Sequence, residues 1–168
     1  KAALEAKAKE SQARVRELFS RTDGNESMSG LRKEMMDTME KNCGLYRTEE
    51  GLQEAVDKIV ELRQRYNKVI LHDRSNVFNT DLFQVLELGA MLDCASALTV
   101  GALARKESRG AHFRLDGYET RDDENYLLHS MAHYRGDGAP LIDYAPVTIT
   151  KSAPRTRSYG GAGKKAEM

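Results

Sequence analysis

Neither sign of charge is in excess in this chain: 26 basic residues balance 26 acidic ones across 168 positions. A zero net charge sets up no overall field toward nucleic acid or anionic lipid, and a nucleic-acid binder ordinarily carries a basic surplus. Cysteine is scarce as well. Cys43 and Cys94 have no CxxC spacing and lie far apart, which fits a reducing compartment and ordinary packing better than a disulfide framework. No run of about 18 consecutive apolar residues occurs and no secretory leader is recognisable, so a soluble, cytoplasmic protein without direct membrane insertion is expected. Charged residues make up 31%, which would permit disorder, but the 40% hydrophobic content falls in periodic segments and argues for folded helices. The length suits one domain that buries roughly 70% of the surface its unfolded chain exposes.

Four helical stretches are legible. Residues 1–20 repeat Leu4, Val15, Leu18 and Phe19 among charges, a narrow amphipathic stripe closed by the turn-forming RTDGNES. Met28, Leu31, Met35, Met36 and Met39 mark a second helix stopped at NCG; at this spacing they read as core rather than as a methionine-lined cofactor box. Thr48, followed by Glu49 and Glu50, opens a third, with a capping hydroxyl and acids at the positive end of the dipole. That helix carries Leu52, Ala55, Val56, Ile59, Leu62 and Tyr66 near an i, i+3, i+4, i+7 face. A fourth runs from about Thr80 to Lys106, roughly 40 Å at 1.5 Å per residue, and is apolar most of the way round. On it Ala90, Cys94, Ala97, Gly101 and Ala104 fall at heptad spacing, where small residues let another backbone come close. The spacing predicts a close-packing helix seam; the plainer alternative is an alanine-rich core helix.

Beyond residue 107 the helical period is lost. YLLHSMAHY and LIDYAPVTIT flank RGDGAP, a turn-forming run with Gly136, Gly138 and Pro140, and Val147 to Thr150 are strand formers. The expected architecture is therefore mainly α: an antiparallel three- to four-helix bundle, spectrin-repeat-like, over residues 1–107. A loop dense in charge and a small β-hairpin follow over 108–150 of the same domain. A basic, glycine-rich tail covers 151–168, its end expected to be disordered.

No set of reactive residues is complete. His129 and His133 sit four apart, but HEXXH needs a glutamate where Ser130 stands, and on a strand the rings would be about 13 Å apart. Asp122, Asp123 and Glu124 could be paired carboxylates or a magnesium site, yet acids at the start of a short helix are more often caps and dipole partners. GGAG in the tail lacks the strand–turn–helix setting of a dinucleotide fingerprint. Catalytic, cofactor-binding and metal-ligating residues are each expected to be none.

The order of motifs is more informative. NVFNTDL, LELGAMLDCA, ARKESRGAHFR and RDDENYLLHS follow one another, with NCGLYRTEEGLQEA upstream and APVTITKSAPRTRSY at the end. This series resembles the C-terminal helical domain of the flavoprotein subunits of succinate dehydrogenase and fumarate reductase, from Gly30 to Tyr159. The most specific element is Arg105-Lys106-Glu107-Ser108-Arg109-Gly110-Ala111-His112, followed by Arg121-Asp122-Asp123. One departure is the link LDGYET between Arg114 and Arg121, which is longer than usual in the family and lacks its proline, so the path of this loop stays open. L-aspartate oxidase-like flavoenzymes share an SRG-type motif and rank second.

The resemblance implies a parent enzyme that interconverts succinate and fumarate by hydride transfer with FAD. Its FAD-binding and capping domains would belong to the same parent chain, with an iron–sulfur subunit as a further partner. The parent would sit peripherally on the cytoplasmic face of the inner membrane through partner subunits. None of the family's flavin- or substrate-binding motifs matches here, so a non-catalytic fragment without a cofactor of its own is expected. The resemblance makes Arg105, Glu107, Arg109, Gly110, His112, Arg114, Arg121, Asp122 and Asp123, with Asp116, candidates for a polar seam against the flavin-bearing body. Arginine suits the task because its planar fork binds carboxylates or carbonyls bidentately and stays charged when partly buried. In the absence of that body these residues are expected to face water, and Gly110 to take a positive φ. The alternatives are a solvated ionic loop and, for the whole chain, an independent helical module binding another protein along its small-residue seam.

Overall fold

The computed structural model describes residues 1–136 and 138–155; the expected disordered end, including Arg157 and Tyr159, lies outside the described residues. Three helices form the core: α2 (Met28–Cys43), α3 (Glu49–Tyr66) and α4 (Thr80–Ala104), preceded by α1 (Ala2–Ser20). The starts of α2, α3 and α4 are fixed locally. Ser27 Oγ accepts from Gly30 N at 3.2 Å, Thr48 Oγ1 from Gly51 N at 3.2 Å and Asn79 Oδ1 from Leu82 N at 2.8 Å, each satisfying an N–H that helix geometry leaves free. α1 has no such cap and buries only Leu18, while Leu4 of its expected stripe is exposed. It therefore adds one end to a three-helix core instead of a full fourth wall.

The core is built from Leu31 and Met35 of α2, Ile59, Leu62 and Tyr66 of α3, and Val85, Leu88 and Leu92 of α4. α4 is long and apolar enough to cross a membrane by composition, with a mean hydropathy of 1.4 over its best window. Here Val85, Leu88 and Leu92 pack on α2 and α3, while Phe83 and Leu98 stay exposed. Its buried line is Val85, Leu88, Leu92, Ala95 and Thr99, which has the same heptad step as the small-residue stripe but lies about 180° away, on the opposite face of the helix, at 3.6 residues per turn. The stripe is not closed by any helix among the described residues. Ala90 and Cys94 are exposed, Ala97, Gly101 and Ala104 half-buried, and a Cβ added at Gly101 would meet nothing within 4 Å. The close approach is at Gly89 instead, where an added Cβ would lie 2.8 Å from Tyr66 Oη and 2.7 Å from Arg14 Nη2. The physical reason is area: leucine and valine bury more apolar surface than alanine, so they take the core face.

After α4 the chain covers one end of the bundle and then runs back along it, so that Gly136, Gly138 and Ala139 lie beside Ile59, Arg63, Leu92 and Asp93 in the middle of α3 and α4. β1 (Tyr46–Arg47), in the α2–α3 connection, pairs in parallel with β2 (Phe113–Arg114), with Tyr46 opposite Phe113 and Arg47 opposite Arg114. A short α5 (Asp123–Tyr126) leads into the antiparallel hairpin of β3 (Leu128–His133) and β4 (Leu141–Pro146). The hairpin is as expected, but Val147–Thr150 are not part of it. β3 begins at Leu128, paired with Pro146, and upstream of it the chain is already α5, so strand formers past Pro146 have no partner.

Candidate functional site

The charged stretch after α4 is a joint whose members bind mostly to one another. α4 ends at Ala104 because Arg105 turns to extended geometry, φ −89° and ψ 105°. Two residues on, Glu107 points inward with no solvent exposure. Arg109 grips it with Nε at 2.7 Å and Nη2 at 3.0 Å, Arg105 donates to the same carboxylate, and the Asp122 N–H donates from 2.8 Å. Burial by itself would raise the Glu107 pKa, but the Arg109, Asp122 and Arg105 hydrogen bonds together hold it below the usual carboxylate range. Arg105 also donates to the carbonyls of Tyr126 at 3.0 Å and Leu128 at 2.8 Å, tying the end of α4 to α5 and the hairpin.

The remaining acids are similarly engaged. Asp123 lies 2.7 Å from Arg109 and 2.6 Å from Arg121, and Arg109 is the main cause of its lowered pKa. Asp122 caps α5, accepting from Asn125 N at 3.0 Å. Arg121 donates to the carbonyl of Arg155 at 3.0 Å. Gly110 takes φ 61°, inside a tight turn in which Arg109 and His112 exchange backbone hydrogen bonds of 2.9 and 3.0 Å.

Arg114 does a second job. It is fully buried, and its Nη1 points at the carbonyls of Arg105, Ala102 and Leu103, at 3.3, 3.4 and 3.5 Å. α4 has no basic residue in its own last turn, so Arg114 supplies from ten residues away the positive charge that a helix C-terminus favours. Its other edge holds Asp116 at 2.8 and 2.6 Å. Asp116 in turn accepts from Glu49 N at 2.6 Å, at the start of α3. One buried arginine thus links the end of α4 to the beginning of α3.

These contacts correct one expectation. Glu107 and Arg114 do not face water when no other body is present; their partners lie within this chain. Sequence reasoning missed Ser108, which accepts from Arg114 N at 2.9 Å and donates to the Tyr118 carbonyl at 2.7 Å. It also missed Arg47, whose Nη1 lies 2.8 Å from His112 Nδ1. A two-residue parallel pairing has no periodicity to find. Around the joint, Leu45, Tyr46, Phe113 and Leu115 remain exposed, with the Tyr46 and Phe113 rings edge to face at 5.8 Å.

Chemically the joint is a staple. Its carboxylates Glu107, Asp116 and Asp123 are each paired with an arginine, and Asp122 caps a helix. Among the described residues no three His, Cys, Asp or Glu side chains are grouped to hold a metal, and His129 and His133 stand on β3, both exposed. The residues do not suit a flavin pyrophosphate either. The starts of α2, α3 and α4 are closed by the chain's own caps, and among the described residues no strand passes through a glycine turn into a helix.

Comparison with known proteins identifies the family. Residues 32–159 match the family described as fumarate reductase flavoprotein C-term. The fumarate reductase flavoprotein subunit of Haemophilus influenzae is 50% identical over 165 residues, 98% of this chain and 27% of that protein. The succinate dehydrogenase flavoprotein subunit of Rickettsia bellii is 40% identical over 129 residues, 77% of this chain and 22% of that one. Among solved structures, FrdA of E. coli quinol fumarate reductase superposes with a TM-score of 0.89 at 45% identity, covering 96% of this chain and 28% of that chain. The chain thus spans between about a fifth and little more than a quarter of the length of these relatives.

Proposed function

Because this chain belongs to the family of fumarate reductase flavoprotein C-terminal domains, we propose that it serves as the structural and interface domain of a flavoprotein subunit that interconverts succinate and fumarate. In this reading FAD accepts or delivers the hydride in a body formed by other parts of the same polypeptide, and an iron–sulfur subunit exchanges electrons with the flavin. The assembly lies peripherally on the cytoplasmic face of the inner membrane through its partner subunits. The observation that carries the proposal is the match along 98% of this chain to a protein more than three times its length. The contribution of this chain is rigidity: Glu107, Arg109 and Arg114 fix the loop that presents Gly110, Phe113 and Leu115 outward beside Leu45 and Tyr46. That apolar rim, together with Arg121, is the surface offered to the flavin-bearing body.

The test compares the 168-residue chain with the longer polypeptide that includes it. The chain alone is expected to elute from gel filtration without flavin and without succinate or fumarate turnover. The longer protein should show both, and should lose flavin when this domain is deleted. Stoichiometric flavin on the isolated chain, or full activity in its absence, sinks the proposal.

A further inference from the structure

The ring of His112 lies between a donor and an acceptor that leave no choice of tautomer. Arg47 Nη1 is 2.8 Å from Nδ1, and a guanidinium can only donate, so Nδ1 carries a lone pair. Nε2 is 3.1 Å from the Arg105 carbonyl oxygen, which can only accept, so Nε2 carries the hydrogen. The ring is neutral, and the two bonds join pieces far apart in sequence: the α2–α3 connection on one side and the end of α4 on the other.

The charges around the ring are cations. Arg47 comes from β1, Arg105 from the end of α4 and Arg114 from β2. The carboxylates near these arginines are already engaged, Glu107 by Arg105 and Arg109 and Asp116 by Arg114, while Glu49 at the start of α3 stands 3.9 Å from Arg114. On α2, the Cys43 thiol is pushed up by burial, with Arg47 opposing that shift, and supplies no anion at neutral pH.

We propose that His112 is an acid-sensitive latch, closing the joint between the α2–α3 connection and the loop after α4 when neutral and opening it when protonated. A proton on Nδ1 sets a donor against the Arg47 donor and adds a fourth cation to three. Arg47 then keeps its Nε bond to the Gly44 carbonyl at 3.0 Å but loses its side-chain hold on the loop. The pairing beneath is only two residues long, Tyr46 with Phe113 and Arg47 with Arg114, so the exposed Tyr46–Phe113 edge loosens with it.

Burial and then the neighbouring arginines hold the ring below histidine's ordinary value, a shift the Arg105 carbonyl opposes. Between the folded value and the unfolded value of about 6.5 the unfolded chain binds more protons. The latch therefore stabilises fully above about pH 6.5 and is lost as pH falls through the folded value. The inference concerns contacts inside this chain and does not depend on the flavoenzyme reading.

Ring nitrogen-15 spectra of the 168-residue chain, followed through an acid titration, test it. The expected result is a neutral ring with hydrogen on Nε2, a midpoint below the ordinary histidine value, and Tyr46, Phe113 and Arg47 signals moving with that same midpoint. Arg47→Gln, which removes a cation but leaves an amide donor, should shift the midpoint upward; the wild-type titration decides the matter even if that variant folds poorly. A ring already protonated at neutral pH overturns the proposal, as does hydrogen on Nδ1. So do Tyr46 and Phe113 signals that stay still while His112 titrates.

Discussion

Arg109 holds Glu107 with two parallel hydrogen bonds, Nε to Oε1 at 2.7 Å and Nη2 to Oε2 at 3.0 Å, and the carboxylate so held has no exposure to solvent. Two arginines and a backbone N–H converge on this one acid, so it organises the whole stretch from Arg105 to Asp123. Glu107→Ala should cost about 2–4 kcal/mol, somewhat under the full range for a buried pair broken on one side, because Arg105 and Arg109 keep some contact with water. Urea unfolding of the isolated chain measures it. A loss below about 1 kcal/mol would class the site with solvated surface pairs.

Arg114 and Arg121 should part company. Arg114→Ala leaves Asp116 and the last carbonyls of α4 without their buried partner, and a destabilisation of roughly 3–5 kcal/mol is expected. Arg121 pairs with Asp123 at the surface, so Arg121→Ala should cost no more than about 1 kcal/mol. Equal losses in thermal melts would contradict the burial of Arg114.

The two glycines of α4 give opposite forecasts. Gly89→Ala drives a methyl against the Tyr66 hydroxyl, which is buried and bonded to the Val85 carbonyl at 3.0 Å, and should destabilise by about 1–3 kcal/mol. Gly101→Ala meets open space and should gain up to about 1 kcal/mol from helix propensity. A harmful Gly101→Ala with a neutral Gly89→Ala in melting experiments would mean that the helix is turned the other way.

Acid should weaken the fold in a defined order. Glu34 is held down to about 2 by its hydrogen bonds to Arg65 and Lys58, and Asp116 and Glu107 are also lowered, by Arg114 and by Arg109 with its neighbours. Each is depressed in the folded state, so its contribution is complete above the ordinary carboxylate value of about 4 and fades as pH falls toward the folded one. Urea midpoints should therefore decline from about pH 4 toward pH 2. Arg65→Gln should flatten that decline, since Glu34 then loses its first partner. An unchanged slope in the variant would count against the assignment.

Several parts of this molecule were legible in the residues. Thr48 announced the start of α3, the extent of α4 was right within two residues, and the ARKESRGAHFR and RDD motifs pointed to the family later matched over residues 32–159. Gly110 took the positive φ expected where the chain leaves the long helix. The hairpin was expected on turn residues and found at Leu128–His133 and Leu141–Pro146, though shorter than strand propensity alone implied.

By itself the sequence determined what depends on neighbours along the chain: caps, helix spans, the turn at Gly136, and the family motif. Tertiary structure decided the rest, because period is blind to azimuth. Two runs on α4 repeat with the same heptad step, and only packing against α2 and α3 selected Val85, Leu88 and Leu92 over Ala90, Cys94 and Ala97 for the core. Likewise the charges between residues 105 and 123 could be counted but not paired. Whether an arginine faces water or a buried carboxylate depends on where distant segments dock, and Arg47 meets His112 across 65 residues of chain. Ion pairing is set by distance in space and by desolvation, and neither is written in the order of residues.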